Sequence, residues 1–322
     1  NFINLQQLFE DYKIYDNKLD MIQIFHLFTN IANYHQRVPL FYNKILKVIK
    51  LFENAIKNYF TFTEIFNIFK GNKRIILFLI ESELLLLDIN MIEKMVSYPY
   101  NCMEYPSYFA PEIKSIINND FRERHKYSDV LDKIDKRIPN YFYTKRREGV
   151  NDLELYQLIR KDDVKDFDDY VKLYKIDLNS LVKKSIYETN KFLINQQLKS
   201  ECKYDTCNFN LIAYAAAVGS NKIFKHLMDN GVELHSSLWE FVISGNNLTV
   251  IKILEENKIN YYLISITDSI KCHHNDIVKY LQPNVYNTFF LYDTLKFHNY
   301  MLINVDNLNN TSFYYLYKFT RY

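Results

Sequence analysis

The sequence predicts an all-α chain in which short helix pairs recur, and three observations carry that prediction. Small residues are concentrated: Ala213 to Gly231, "AYAAAVGSNKIFKHLMDNG", holds four of the seven alanines and two of the five glycines in 322 residues. Apolar residues after Gly219 fall at Ile223, Phe224, Leu227 and Met228, the spacing of one helix face. The same face returns at a fixed step, which marks internal repetition.

Each unit reads as helix, tight turn, helix. Around Gly219, Ile212, Ala215 and Ala216 form the first helix and Ile223 to Met228 the second. A step of 27 residues replaces Gly219 by Asn246, with Trp239, Val242 and Ile243 before it and Val250, Ile251 and Leu254 after it. Another 27 leads to His273, flanked by Ile266 and Ile270 and by Ile277, Val278 and Leu281. A shorter step of 25 aligns "DSIKCHH" with "DTLKFHN" at His298, followed by Leu302 and Ile303. Upstream, Asp162 lies between Leu155, Leu158 and Ile159 on one side and Phe167, Tyr170 and Val171 on the other. Gly71 precedes Ile75, Ile76, Leu79 and Ile80.

Every turn position is thus Gly, Asn, Asp or His. These are the residues that enter the left-handed region most readily, so a left-handed turn is expected at all six. "TFTE" (61–64), "SLWE" (237–240) and "SITD" (265–268) read as capping boxes, and Asn210 as an N-cap. Gly231 is expected to end its helix as a left-handed cap. Small side chains in 211–218 let a neighbouring helix approach closely. "GSNKIFKHLMDNG" matches neither phosphate-loop pattern.

Residues 1–100 read as five or six helices, with "IILFLIESELLLL" (75–87) a buried helix pair too short to span a bilayer. Residues 101–150, with Pro106, Pro111, Pro139 and Gly149, read as the main irregular connection. Within it "FRERHKYSDVLDKIDKR" (121–137) is a mixed-charge helix and "TKRREG" (144–149) a solvated linker. The expected organisation is therefore an N-terminal helical region over 1–150, a repeat array over 151–305, and a cap or truncated further repeat over 306–322.

The array resembles ankyrin repeats. Ile212-Ala213-Tyr214-Ala215-Ala216-Ala217-Val218-Gly219, then Ile223, Phe224, Leu227, Met228 and Gly231-Val232, follow that family's run. "SIYETNKFLI", "GVELHSSLWEFVISGNN" and "SIKCHHNDI" are more similar to a divergent ankyrin family of uncharacterised function, expanded in parasitic protists; "YFAPEIKSII" (108–117) resembles its N-terminal region. The resemblance implies a helical-repeat solenoid that binds other proteins. The 27-residue step is shorter than the family's ~33, and no Thr-Pro opens the helices, so short fingers or loops are expected in place of hairpins.

Composition narrows the function. Hydrophobic residues make up 48% and net charge is +2, which excludes a disordered chain and supplies no field for nucleic acid or an anionic membrane. Over 114–148, ten Lys/Arg against six Asp/Glu are too balanced for a nucleic-acid surface. The first residues, "NFINLQQLFEDYK", lack the apolar stretch of a signal peptide. Cys102, Cys202, Cys207 and Cys272 read as free thiols of a reducing compartment, the cytoplasm, with the nucleus as the alternative.

No chemistry emerges. Cys272 and His273 are adjacent on a helix and so diverge, and nothing nearby completes a triad. His273, His274 and His298 could approach one another in stacked units, but no metal, cofactor or catalytic residue is assigned. The expected function is a non-enzymatic scaffold whose partner is another protein. Its contacts are expected at positions just before each turn, Ser244, Gly245, Lys271, Cys272, Lys296 and Phe297, and at the loop residues His235, Ser236, Tyr261 and Tyr262. The alternative is an enzyme or enzyme adaptor with chemistry in 1–150 and the array as a docking arm.

Overall fold

A computed structural model describes residues 2–34, 39–97, 104–117, 126–129, 141–200, 209–260, 264–281 and 288–303. Among them the chain is all-α; the one β feature is an isolated bridge between Leu181 and Asn210. No helix among the described residues is long and apolar enough to cross a membrane.

In chain order the helices are α1 (Phe2–Asp11), α2 (Lys18–Tyr34), α3 (Pro39–Leu51), α4 (Glu53–Tyr59), α5 (Phe62–Phe69), α6 (Lys73–Glu81), α7 (Ile89–Val96), α8 (Tyr105–Tyr108), α9 (Ala110–Ile117), α10 (Phe142–Glu148), α11 (Glu154–Lys161), α12 (Val164–Tyr174), α13 (Lys191–Ser200), α14 (Leu211–Val218), α15 (Asn221–Asp229), α16 (Leu238–Ser244), α17 (Leu248–Glu256), α18 (Ile264–Lys271), α19 (Asn275–Leu281) and α20 (Thr288–Lys296). Two compact units divide the chain. The first takes Asn1–Thr29, Leu40–Asp152 and Lys184–Ile194; the second takes Asn30–Pro39, Leu153–Lys183 and Asn195–Tyr322.

The first unit has an aromatic core. Phe25 lies 5.2 Å from Phe52 and 5.3 Å from Phe69, ring centre to ring centre, and all three are inaccessible to solvent. Among the described residues seven α-helices precede residue 97, more than the sequence suggests. The 75–87 stretch is not a helix pair: α6 ends at Glu81, and left-handed Glu83 turns the chain so that Leu84 and Leu85 enter the core without a second helix. The capping box at Thr61–Glu64 is complete in both directions. "TKRREG" is not a solvated linker. It forms most of α10 and ends on left-handed Gly149; Arg146 is 3% exposed and holds Glu112 bidentately at 2.8 and 2.9 Å. Most of 121–137 lies outside the described residues, as do Cys102, Cys202, Cys207 and 306–322.

In the second unit the left-handed residues follow the expected step. Asp162, Gly219, Asn246, His273 and His298 have φ of 55, 80, 48, 57 and 56°. Each of the last four turns closes the same way, the next N–H donating to the carbonyl five residues back: Ser220 to Ala215, Asn247 to Val242, His274 to Ser269 and Asn299 to Thr294, at 2.8–3.0 Å. This is the Schellman geometry that satisfies orphan carbonyls at a helix end. A second set closes the second helices. Left-handed Lys175, Gly231 and Lys258 are followed by Ile176 to Val171, Val232 to Leu227 and Ile259 to Leu254 bonds of 2.9–3.1 Å. Gly231 and Lys258 are 27 residues apart, the step of the turns.

Gly71 departs from the series. It lies outside the left-handed region, because the α5–α6 turn closes by Asn72 N–H to Phe69 at 2.9 Å, a shorter link that ordinary backbone angles allow. Two caps also differ. Ser237 makes no side-chain cap, since the carbonyls of His235 and Ser236 already receive the N–H groups of Leu238 and Trp239. Ser265 lies inside α18, which begins at Ile264. Asn210 does cap α14, accepting from Ala213 N–H at 3.2 Å.

Candidate functional site

The first helices of the second unit stack in order, α11 on α14, α14 on α16, α16 on α18 and α18 on α20; the second helices do likewise, α12 on α15 and α15 on α17. Small residues set the separation. A Cβ on Gly245 would lie 2.3 Å from the Ala216 carbonyl oxygen and 2.8 Å from that of Ala217, so only glycine fits there. Trp239, 1% exposed, fills the space between neighbours and donates its indole N–H to Ile259 at 2.9 Å.

Polar side chains at the turns join successive units. The Asp162 carboxylate accepts from the N–H groups of Lys222 and Ile223, capping α15 of the next unit. Three of the residues that follow a turn are buried and reach backward. Ser220 donates to the Ile159 carbonyl at 2.5 Å, His274 Nε2 to Ser244 at 3.3 Å, and Asn299 Nδ2 to Ile270 at 2.9 Å. His273 Nε2 donates to the Phe297 carbonyl at 2.9 Å. The carbonyls freed at the ends of α11, α16 and α18 thus find donors in the following unit.

This packing corrects part of the expected surface. Ser244 is 7% and Cys272 3% exposed, and Gly245 is buried. At Gly245 the cover comes from the preceding first helix, whose Ala216 and Ala217 carbonyls lie against it. Burial pushes the Cys272 thiol up to about 12, with the Asp268 charge adding to it, so no thiolate is available there. Lys271 is half-buried, its Nζ 4.4 Å from the centre of the Tyr34 ring. His235 is half-exposed, 3.7 Å from Glu233; Ser236 and Phe297 are partly covered; Lys296 is exposed, 5.6 Å from the Tyr292 ring. Tyr261 and Tyr262 lie outside the described residues.

Sequence reasoning missed a polar cluster in the first unit. Lys73 is 3% exposed, donates to the Ile186 carbonyl at 2.9 Å and sits 4.9 Å from the Tyr108 ring centre. Burial lowers its ammonium to about 8, against the pull of Glu104 and Glu188. The buried Glu188 carboxylate accepts from the N–H groups of Asn151, Thr189 and Asn190, and Thr189 Oγ1 donates to Gly149 at 2.7 Å. The one local signal was a lysine opening the apolar run of α6. Among the described residues no three His, Cys, Asp or Glu side chains gather as a metal set. No family model, curated protein or solved structure matches the chain.

Proposed function

We propose that the protein is a non-enzymatic, ankyrin-like helical-repeat scaffold that binds another protein through its concave face and inter-repeat loops. One observation carries the reading. Left-handed turns recur at Gly219, Asn246, His273 and His298 with the same closing bond, and buried side chains tie one unit to the next. Units that are satisfied only by their neighbours are the physics of a repeat array, and such arrays serve by presenting extended surfaces.

Of the expected binding positions, His235 and Lys296 are exposed and Ser236, Lys271 and Phe297 are partly covered. The rival reading places chemistry in 1–150. Its strongest group is Lys73, whose ammonium is enclosed between Ile186 and Tyr108.

A photo-crosslinking residue placed at 235, and separately at 296, tests the scaffold. The expected result is one protein captured at both positions and lost when Lys296→Glu is added to the 235 variant. Unrelated captures at the two positions, unaffected by Lys296→Glu, overturn it.

A further inference from the structure

α15 and α17 end alike, one step of 27 residues apart. Asn230 has φ −93° and ψ 18°, Asn257 φ −84° and ψ 8°. Each donates its side-chain Nδ2 to the carbonyl four residues back, Asn230 to His226 and Asn257 to Ile253, both at 2.8 Å. Each is followed by a left-handed residue whose N–H bonds three residues back: Gly231 to Met228 at 3.0 Å and Lys258 to Glu255 at 2.9 Å. Both asparagines are exposed. The two ends differ in the follower's side chain, glycine at 231 and lysine at 258. Asn230 is the one asparagine of the chain that precedes a glycine.

That difference is chemical. The backbone nitrogen after an asparagine can attack the side-chain amide carbon, and a Cβ on the following residue obstructs the approach. Glycine has none, and a Cβ built at 231 would meet nothing within 4 Å, so the approach is open. We propose that Asn230 is a self-modification site, where the Gly231 nitrogen closes on Asn230 Cγ. The N–Cγ bond forms, the Cγ–Nδ2 bond breaks, and Nδ2 leaves as ammonia with the proton of the Gly231 N–H. Water then opens the succinimide ring at either carbonyl, to aspartate or to isoaspartate; nothing is oxidised or reduced. Attack requires Asn230 ψ to leave 18°, which breaks the Gly231 bond to Met228. The exposed end of α15 supplies that opening, since helix termini fray at far lower cost than global unfolding. The product undoes the cap. An acid lacks the Nδ2 donor that serves the His226 carbonyl, and its charge stands at the negative end of the α15 dipole. Isoaspartate also adds a backbone carbon, so the Gly231 and Val232 N–H groups lose register with Met228 and Leu227. The loop so released carries His235 and Ser236; its meaning for a partner rests on the scaffold reading, whereas the chemistry does not.

Incubation of the full chain in warm neutral buffer, with timed peptide mapping and fragmentation that separates aspartate from isoaspartate, reads both asparagines in one sample. Acid is expected at Asn230 at least ten times faster than at Asn257. Lys258→Gly should raise the rate at 257 at least tenfold. Gly231→Lys should abolish the reaction at 230, and Lys258 shows that lysine is compatible with this backbone. Urea below the Trp239 unfolding transition should leave the rate at 230 nearly unchanged, because fraying exposes little new surface. The proposal is overturned if Asn230 and Asn257 convert at equal rates in the folded chain, or if folded Lys258→Gly leaves Asn257 intact. It is overturned as well if the rate at 230 climbs with urea in step with global unfolding. If either variant does not fold, the two asparagines of wild type and their urea dependence decide alone. Crosslinking at 235 and 296 can fail while this test succeeds, and the reverse, so the two readings fall separately.

Discussion

Asp162 closes the turn of its own helix pair and caps the next one with the same residue: its backbone is left-handed, at φ 55°, and its carboxylate accepts from Ile223 N–H at 2.9 Å. The two duties separate by mutation. Asp162→Gly keeps the turn and loses the cap, costing about 1 kcal/mol. Asp162→Ala loses the cap and strains the backbone as well, costing about 2–3 kcal/mol. Asp162→Asn retains most of both. Urea denaturation of the three variants should rank them Asn, Gly, Ala in falling stability; equal losses for Gly and Ala would remove the left-handed requirement.

Gly245 and Gly231 make a second contrast. A methyl on Gly245 meets backbone oxygen at 2.3 Å, so Gly245→Ala must push α16 away from α14 and should cost about 1–3 kcal/mol by overpacking. A methyl on Gly231 meets nothing within 4 Å, but φ is 85°, so Gly231→Ala costs about 1–2 kcal/mol from backbone strain alone. The two are told apart by replacement with asparagine, which tolerates left-handed angles. Asn should recover most of the loss at 231 and worsen it at 245, as read by melting temperature.

Trp239 is the single tryptophan and reports on the second unit. Its burial predicts blue-shifted emission and weak quenching by iodide. Trp239→Ala should destabilise by about 3–5 kcal/mol through lost burial and the cavity left behind. Trp239→Phe refills most of that volume but leaves the Ile259 carbonyl without its indole donor, an expected loss of about 1–3 kcal/mol. Red-shifted, readily quenched emission from the native chain would contradict the register.

The turns of the second unit were legible because a left-handed backbone restricts residue type, and Asp162, Asn246, His273 and His298 all carry that mark. Gly71 misled for the converse reason: glycine permits positive φ without requiring it. Trp239 was legible from period alone, since its partners Ile212 and Ile266 are apolar and buried. Exposure at Ser244 and Cys272 was not, because periodicity tells which face a helix turns to its own partner but not what covers the remaining face. The Lys73 cluster left almost no local trace. Its carbonyl acceptor, Ile186, is 113 residues away, and no short-range pattern encodes such a pairing.

Lys73 gives a pH dependence with a definite sign. Its ammonium is at about 8 in the folded chain against 10.5 unperturbed, so between those values the unfolded chain binds more protons and folding grows more favourable as pH rises. The full span corresponds to roughly 3 kcal/mol. Buried Tyr42 and Tyr108, both raised above their ordinary value, oppose this above pH 10, so the comparison must be between chains. Lys73→Met should lose the rise between pH 8 and 10 that wild type shows in denaturant midpoint. Parallel pH profiles for the two proteins would mean that Lys73 is not desolvated.

Cys272 carries the last prediction. A surface thiol would tolerate serine silently. At 3% exposure, with a thiol held neutral by burial, the site is apolar, and serine brings a hydroxyl that must be desolvated. Cys272→Ser should therefore cost about 1–3 kcal/mol, and Cys272→Val, apolar and close in volume, less. The ordering also bears on the enzymatic alternative. A nucleophilic cysteine would make both variants inactive in any group-transfer assay at unchanged stability, whereas a packing cysteine makes serine the less stable of the two. Thermal melts of the pair decide it: serine more stable than valine at this position would return Cys272 to the surface and reopen a chemical role for it.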